Sequence, residues 1–469
     1  MPDCFYQLNC ASIQNQESPF FITKKNDENE SEYRSFKNIV KPNPETRKKT
    51  PVNNHRIIST EEEFDELKTD WNLLCERTDS GVFQIFEWNR TWWDHFGASG
   101  ELQIFVLYND ETVVGIAPLF LDRTAIAGMK PYTCLRMIGS EINTTEEGPL
   151  LGFKPYSDYL QFLIEKDYLK LFYEHLSHFL LDEVYFDELI LDEIPENSST
   201  LSILNYDFSS KGYEMSISNA SGSFNVLPED SWDDYMKNLT SKERNNVRRS
   251  QKSTQNGKDK LFHIEMFEFN GEIKKTLERF IELHQKQWNA KGVPGSFAET
   301  SMLTFFMDIS QKLYKNGHLR IKTIQPDGKS GLEHCLAIDI NLVYKDRIYG
   351  QHRALDIESP FFTKSPGKAL LIATIEDAVQ SQRTFDFLRG KEKYKERLAT
   401  NMNQNKTVRI RVSSGYRKSA GQILSVLNRI YKIVAVESVR LKVIKDQNES
   451  GFTLNRYFRF LIERINKRI

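Results

Sequence analysis

The chain has 469 residues, 39% hydrophobic and 12% aromatic, with 63 Lys and Arg against 65 Asp and Glu for a net charge of −2. That length suits two or three domains with real cores and excludes a wholly disordered chain. The near-balance of charge gives no global sign of a nucleic-acid partner, so DNA is not expected and electrostatic partners must be sought in local patches.

Cys4, Cys10, Cys75, Cys134 and Cys335 are odd in number and scattered, which speaks against a disulfide framework and closely spaced metal ligands. Residues 1–55 are rich in Asn, Ser, Glu, Lys and Pro and follow no helical or strand period, as expected of a disordered arm. The start lacks the basic region and apolar run of a signal peptide, and no later segment offers ~18 uninterrupted apolar residues, so a soluble cytoplasmic protein is expected.

A first structured unit is expected over 56–212. Ser59 to Glu63 supplies a hydroxyl cap and a first turn of acids, after which Phe64, Leu67, Trp71, Leu74 and Cys75 recur at helical spacing. A second helix, Phe83 to Phe96, carries a stripe of Phe86, Trp88, Trp92, Trp93 and Phe96 that suits a core better than a ligand platform. Single strands are predicted at Leu102–Leu107, Val113–Phe120 and Leu135–Gly139, then a helix at Tyr168–Leu181 and a buried strand at Val184–Leu191.

A second unit, expected over 213–414, repeats that order loosely. Helices are predicted at Asp230–Met236, Ser241–Ser250, Ile273–Trp288 and Ser301–Tyr314. Strands are predicted at Phe262–Phe269, Leu319–Ile324, Cys335–Leu342 and Arg347–Arg353. Then Ser365-Pro366-Gly367 opens a helix to Gln380, and a short strand, Phe385–Leu388, runs into the cluster RGKEKYK. Residues 415–469 change character: twelve basic residues against four acids give about +8, and Ile423, Leu424, Val426, Leu427, Ile430 and Tyr431 give one helix an apolar face. Such a basic helical tail suits a membrane surface or a docking partner, or a helical pair packed on the second unit.

Candidate chemistry gathers between residues 339 and 395. The Ser365–Gly367 turn exposes amides at a helix start, where Lys364 and Lys368 add charge, a setting for a phosphate; simple helix capping explains the same residues. Glu392 is placed to accept a proton from an attacking amine or hydroxyl, and Tyr394 to return one to a leaving thiolate, although an internal Arg389–Glu392 ion pair explains the spacing equally well. His352 and Glu358 are alternative bases within the polar set Asp339, Tyr349, His352, Arg353, Asp356 and Glu358. The basic run Lys242, Arg244, Arg248, Arg249 and Lys252 reads as a solvated helix face or a phosphate site.

The segment from Arg347 to Ala399, with Ser365, Pro366, Gly367, Asp386, Phe387, Arg389, Gly390, Glu392, Tyr394 and Lys395, resembles the CelD-like branch of bacterial acyltransferases, of GNAT fold and related to FemAB peptidyltransferases. SKERNNVRRS at 241–250 and the His284, Trp288, Gly292 spacing agree with it, as more weakly do FQIFEWNRTWWDHF and VVGIAPLF in the first half. The resemblance covers about residues 60–410. It implies an α/β fold of two tandem GNAT-like domains, each a mixed, mostly antiparallel sheet flanked by helices; the C-terminal helical extension expected from composition lies outside the resemblance. It implies acyl-coenzyme A, such as acetyl-coenzyme A, as co-substrate, held by Lys364, Ser365, Gly367 and Lys368. The catalytic residues would be Glu392, Tyr394 and His352, with Arg389, Lys395, Trp288 and Asp386 on the substrate and no metal. The repeated glycines of the usual pyrophosphate loop are reduced here to Gly367, so an aminoacyl-tRNA donor remains an alternative. A non-catalytic scaffold for polysaccharide synthesis is another. The tail would serve a peripheral membrane or envelope-synthesis partner.

Overall fold

The computed structural model describes residues 55–413, apart from 125–131, 142–143, 146–147, 150–156, 267–272, 292–294 and 391, and beyond them only 415, 418, 419, 421 and 423. The expected N-terminal arm and most of the basic tail lie outside the described residues.

Strand β1 (His55–Ile58) leads into helices α1 (Glu61–Glu66), α2 (Lys68–Arg77) and α3 (Phe86–Phe96). Thr60 caps α1 as its sequence predicts: its Oγ1 accepts from Glu63 N at 3.2 Å, and the Glu63 carboxylate accepts from Ser59 N at 3.1 Å. The aromatic stripe of α3 is core, with Phe86, Trp88, Trp92, Trp93 and Phe96 all buried.

The two strands predicted after α3 each divide in two. Leu102–Leu107 becomes β2 (Gly100–Leu102) and β3 (Ile104–Asn109), and Val113–Phe120 becomes β4 (Thr112–Ala117) and β5 (Leu119–Thr124). Pro118 has no N–H to continue a ladder, and Gln103 N donates to Leu119 O at 2.9 Å beside it. At this crossing both strands leave one sheet for another: β3 and β4 lie in a four-stranded sheet, β2 and β5 in one of eleven strands.

The chain continues through β6 (Tyr132–Met137), the short β7 (Thr144–Thr145), β8 (Gly148–Pro149) and β9 (Leu163–Ile164), α4 (Leu169–His178), β10 (Glu188–Pro195) and β11 (Tyr213–Val226). Next come α5 (Trp232–Asn238), α6 (Ser241–Thr254), β12 (Phe262–Met266), α7 (Ile273–Asn289), α8 (Thr300–Lys315), β13 (Leu319–Pro326), β14 (Ala337–Tyr344) and β15 (Arg347–Leu355). Last are α9 (Pro366–Gln380), β16 (Thr384–Arg389), α10 (Lys393–Leu398) and β17 (Asn401–Val412).

The large sheet runs β12-β13-β14-β15-β16-β11-β17-β10-β6-β5-β2. Its neighbours are antiparallel except at two places: β6 with β10, over Cys134–Arg136 and Glu188–Ile190, and β15 with β16, over Arg347–Tyr349 and Thr384–Asp386. Each parallel pair brackets one helix, α4 in the first half and α9 in the second, because a parallel return needs a crossover connection. The loose repeat in the sequence is thus a repeat in space.

Strands β11 and β17 bind the halves together, pairing from Tyr213↔Val412 to Asn225↔Asn401, with β17 also pairing to β10. Neither strand is foreseen from the sequence. NMNQNK opens β17 without an apolar period, and SNASGS interrupts β11 with small polar residues, so the usual strand signal is missing.

Candidate active site

The site forms where β15 and β16 part. Their pairing ends at Tyr349↔Asp386, and beyond it no strand among the described residues pairs with that edge of β15. The end of β16 turns out of the sheet through Leu388, a non-glycine residue with φ +59°, and Gly390 with φ +132°. Leu388 N donates to Asp386 Oδ1 at 2.8 Å and fixes the turn. Left-handed backbone at a branched apolar residue is sustained only by such surroundings.

A bulge decides which side chains face which way. In the β14–β15 ladder Gly350 stands opposite Asn341, whereas His352 stands opposite Ile340, so Gln351 is the extra residue. His352 therefore joins Ile340 on the face covered by α7 and α8, and Arg353 joins Asp339 on the face covered by α9.

On the α7–α8 face the His352 ring lies 5.6 Å from Phe306, 5.9 Å from Phe297 and 6.5 Å from His284, centroid to centroid. His352 keeps some solvent contact, yet this apolar enclosure pushes its pKa down to about 4, against a raising influence from Asp158. Burial, then the neighbouring His352, takes His284 to about 3. Trp288 stands 5.8 Å from His284 and beneath the Lys291 ammonium at 4.6 Å.

On the α9 face Arg353 Nη2 lies 2.8 Å from Asp339 Oδ1, and Thr374 of α9 donates to the same carboxylate at 3.1 Å. Arg353 Nε is buried without a hydrogen-bond partner, a donor available to a ligand. Tyr394 stands beside this pair; burial pushes its phenol up, with Lys395 and Arg353 opposing, so it is a protonated donor at neutral pH.

The Arg389–Glu392 ion pair weighed above as an alternative is replaced by other partners. Arg389 Nε lies 2.6 Å from Asp158 Oδ1 and Nη1 lies 3.3 Å from Glu193 Oε1, while Glu392 pairs with Lys395 at 3.1 Å and Lys395 Nζ donates to Arg389 O at 2.7 Å. The reason is reach: the end of β16 adjoins first-half residues that supply two carboxylates. Asp386 is fully enclosed, accepting from Tyr159 Oη at 2.8 Å and from Arg347 Nη1 at 2.9 Å. Burial raises its pKa and Arg347 opposes the rise.

At the start of α9, Ser365 is left-handed with φ +59°, and Lys368 N and Ala369 N both return to its carbonyl. Pro366 has no N–H, so Gly367 supplies the one amide of this turn not engaged in that way. The bare Cα of Gly367 packs against β15: an added Cβ would lie 2.3 Å from Leu355 Cδ2, so a larger residue there would make the Leu355 side chain shift. Lys364 is exposed. Lys368 is partly buried, its ammonium pKa lowered by burial, with Arg249 and Arg397 adding to the effect. In α6 Lys242, Arg248, Arg249 and Lys252 are exposed, but Arg244 turns back to the Leu239 carbonyl at 2.7 Å. Glu358 is exposed, 3.5 Å from Lys286, at the outer end of α7.

The structure thus gathers Arg353, Asp339, Tyr394, Glu392, Lys395 and Arg389 near the end of β16, with His352 on the opposite face of the sheet. Asp158, Tyr159, Glu193 and Arg347 are the participants that sequence reasoning missed. Asp158 and Tyr159 carry no local signal, since their partners lie more than two hundred residues away. No group of His, Cys, Asp and Glu suited to a metal occurs among the described residues.

The two depressed histidines carry a stability prediction. Between the folded and unfolded pKa values the unfolded chain binds more protons, so stability falls as pH drops below about 6.5, the ordinary histidine value. For His284 alone the loss at pH 5 relative to pH 8 is about 2 kcal/mol. Urea unfolding at both pH values is expected to show it, and His284→Phe is expected to reduce the difference by that amount.

A mostly antiparallel sheet built twice over, each time with one parallel pair around a helix, is a mixed α/β, GNAT-like fold. More particularly, residues 241–396 match the family model described as an acetyltransferase (GNAT) domain, and acyl transfer is the chemistry this match supports. No curated protein matches the chain in sequence. Among solved structures the chain is similar in fold to FemX, at 11% identity and a TM-score of 0.51, over 73% of this chain and 95% of that one. Weaker likenesses include L-PGS from Bacillus licheniformis (11% identity, TM-score 0.41, 76% and 94% coverage) and a tandem GNAT protein from the clavulanic acid biosynthesis pathway (10%, 0.36, 76% and 98%).

Proposed function

We propose that this protein moves an acyl group, acetyl in the simplest case, from acyl-coenzyme A to an amine or hydroxyl of a small-molecule or cell-envelope polysaccharide acceptor. The supporting observation is the parting of β15 from β16 after Tyr349, which leaves an open strand edge between two differently equipped faces. The donor lies on the α9 face, where Arg353, Lys368 and the Gly367 amide meet its polar groups. The acceptor enters from the α7–α8 face, past Trp288, to His352.

The acceptor attacks the thioester carbonyl directly while both are bound. Fixing the two in line supplies ~7–11 kcal/mol of the barrier. Neutral His352 takes the proton from the attacking nitrogen or oxygen as the new bond forms. A backbone amide on the open edge of β15 stabilises the oxyanion, worth roughly 3 kcal/mol. As the carbon–sulfur bond breaks, Tyr394 protonates the thiolate. Glu392 is engaged by Lys395 and acts here as the group that holds Lys395 and the Arg389 carbonyl in place.

A thiol-release assay with acetyl-coenzyme A and a panel of amines, amino sugars and alcohols tests this. Release that depends on an acceptor supports the proposal; acceptor-independent release, or none with any of them, counts against it. One observation favours a second donor, aminoacyl-tRNA: the exposed cations of α6 adjoin the start of α9 and suit a longer polyanion.

A further inference from the structure

The two halves treat the same gap differently. In the first half β6 and β10 part after Arg136↔Ile190, as β15 and β16 part after Tyr349↔Asp386. The chain itself fills the first gap: Ser157 N donates to Gly139 O, just past β6, at 2.9 Å, and Leu160 N donates to Glu193 O of β10 at 3.1 Å. A Cβ on Gly139 would lie 2.5 Å from Ser157 Oγ, so the segment is closely seated. No strand among the described residues does the same for the freed edge of β15.

The filling segment also reaches the second half. Asp158 Oδ1 accepts from Arg389 N at 3.2 Å and from Arg389 Nε at 2.6 Å, and Arg389 Nη2 donates to the Ser157 carbonyl. Counted on from Tyr349↔Asp386, with Gln351 bulged, the His352 stretch of β15 stands level with Leu388 and Arg389. Aromatic packing gives the side. Trp88 Nε1 donates to Ser157 Oγ at 2.8 Å while its ring meets Phe305 of α8 at 5.8 Å, and the next residue, Phe306, meets His352 at 5.6 Å. Phe83 joins Tyr159 to Tyr349, at 6.1 and 5.7 Å. Asp158 therefore stands at the end of β16 on the His352 side.

Charge around His352 is uneven. His284 of α7 is neutral near pH 7, Ile340 of β14 and Phe306 of α8 bring no charge, and Arg353 turns to Asp339 on the other face. At the end of β16 one guanidinium, Arg389, serves two carboxylates, Asp158 and Glu193, so one negative charge is left over. Glu193 is also engaged by Ser221 Oγ at 2.7 Å and Asn405 Nδ2 at 2.9 Å. Asp158 is the carboxylate whose charge acts on His352.

We propose that Asp158, from the first half, is a positioning residue for His352: its carboxylate balances the imidazolium that forms when His352 takes the acceptor's proton. The inference rests on His352 as the base of the acyl transfer proposed above. The proton stays on His352 and Asp158 takes none, so no further bond is made or broken. The first half, with its own gap closed, thereby takes part in the reaction of the second.

NMR titration of the His352 ring in the full-length chain, assigned by its loss in His352→Gln, tests the coupling without any assay of transfer. Asparagine keeps an oxygen for Arg389 and removes the charge. From the folded value of about 4, the protonated fraction near pH 4.5 is expected to fall about tenfold in Asp158→Asn, and Glu193→Gln, which removes the other carboxylate of Arg389, is expected to move it far less. In the thiol-release assay Asp158→Asn is expected to lower kcat about tenfold with KM for acetyl-coenzyme A within about twofold, and Asp158→Glu to recover most of the loss. An unchanged ring titration in Asp158→Asn, or an equal change in Glu193→Gln, overturns the proposal. Full kcat in Asp158→Asn overturns the part played in transfer. Failure of the wild type to release thiol with any acceptor overturns the acyl-transfer reading instead, and the ring titration is independent of that result.

Discussion

Replacing His352 by glutamine is expected to lower kcat about 10²–10⁴-fold, the usual span for loss of a positioned general base. Donor affinity is expected to stay within about twofold, since the proposed donor position is on the opposite face of the sheet. The pH profile distinguishes a base from a packing residue. Enclosure among Phe280, Phe297, Phe306 and His284 holds His352 at about 4, so its neutral, proton-accepting form persists well below the ordinary histidine range. Its fraction falls only as pH drops through the folded value. The acid limb of kcat/KM should therefore lie near pH 4 in the wild type and disappear from the residual activity of His352→Gln. A limb near 6.5, or a variant with full turnover, assigns the base elsewhere. Tyr394→Phe is expected to slow the other half of the reaction, and the loss should shrink with a donor whose thiol is more acidic.

Asp386→Leu is the substitution expected to cost most in stability. The wild-type carboxylate is fully buried, and it accepts from Tyr159 of the first half and Arg347 of the second. Removing it leaves the buried Tyr159 hydroxyl and the part-exposed Arg347 guanidinium without their acceptor, at a cost of about 1–3 kcal/mol. Removing both charges, in Asp386→Leu/Arg347→Met, is expected to recover much of that loss, because apolar replacement of a buried pair leaves no charge uncompensated. Denaturant midpoints for the single and double variants measure this. Equal midpoints for the wild type and Asp386→Leu would mean that the pair does not brace the two halves.

Local features of the site were legible in the sequence where one segment carried its own signal. Ser365-Pro366-Gly367 marked the start of α9, the apolar period from Ala369 to Val379 marked its body, and Phe385 to Leu388 marked β16. Gly367 was read as a place where a ligand approaches the backbone, whereas the structure sets it against the Leu355 side chain, on a strand joined to it by a turn. Arg389 was legible as a charge and its partner was not, because Asp158 is 231 residues away and the nearer Glu392 gave a plausible local alternative. Val113–Phe120 was expected as one strand, and only the pairing of β2 with β5 shows that the chain changes sheets at Pro118. The facing of His352 depends on one bulged residue, Gln351, which no periodicity reveals; without it His352 would share the face of α9.

The gap between β15 and β16 is proposed to receive an acyl thioester on the α9 face. Calorimetric titration of the full-length chain with acetyl-coenzyme A tests it most directly. One molecule bound per chain, weakened at least about tenfold by Arg353→Ala and hardly at all by His352→Gln, is the predicted result. No detectable binding of acetyl-coenzyme A, with aminoacyl-tRNA bound instead, would contradict it.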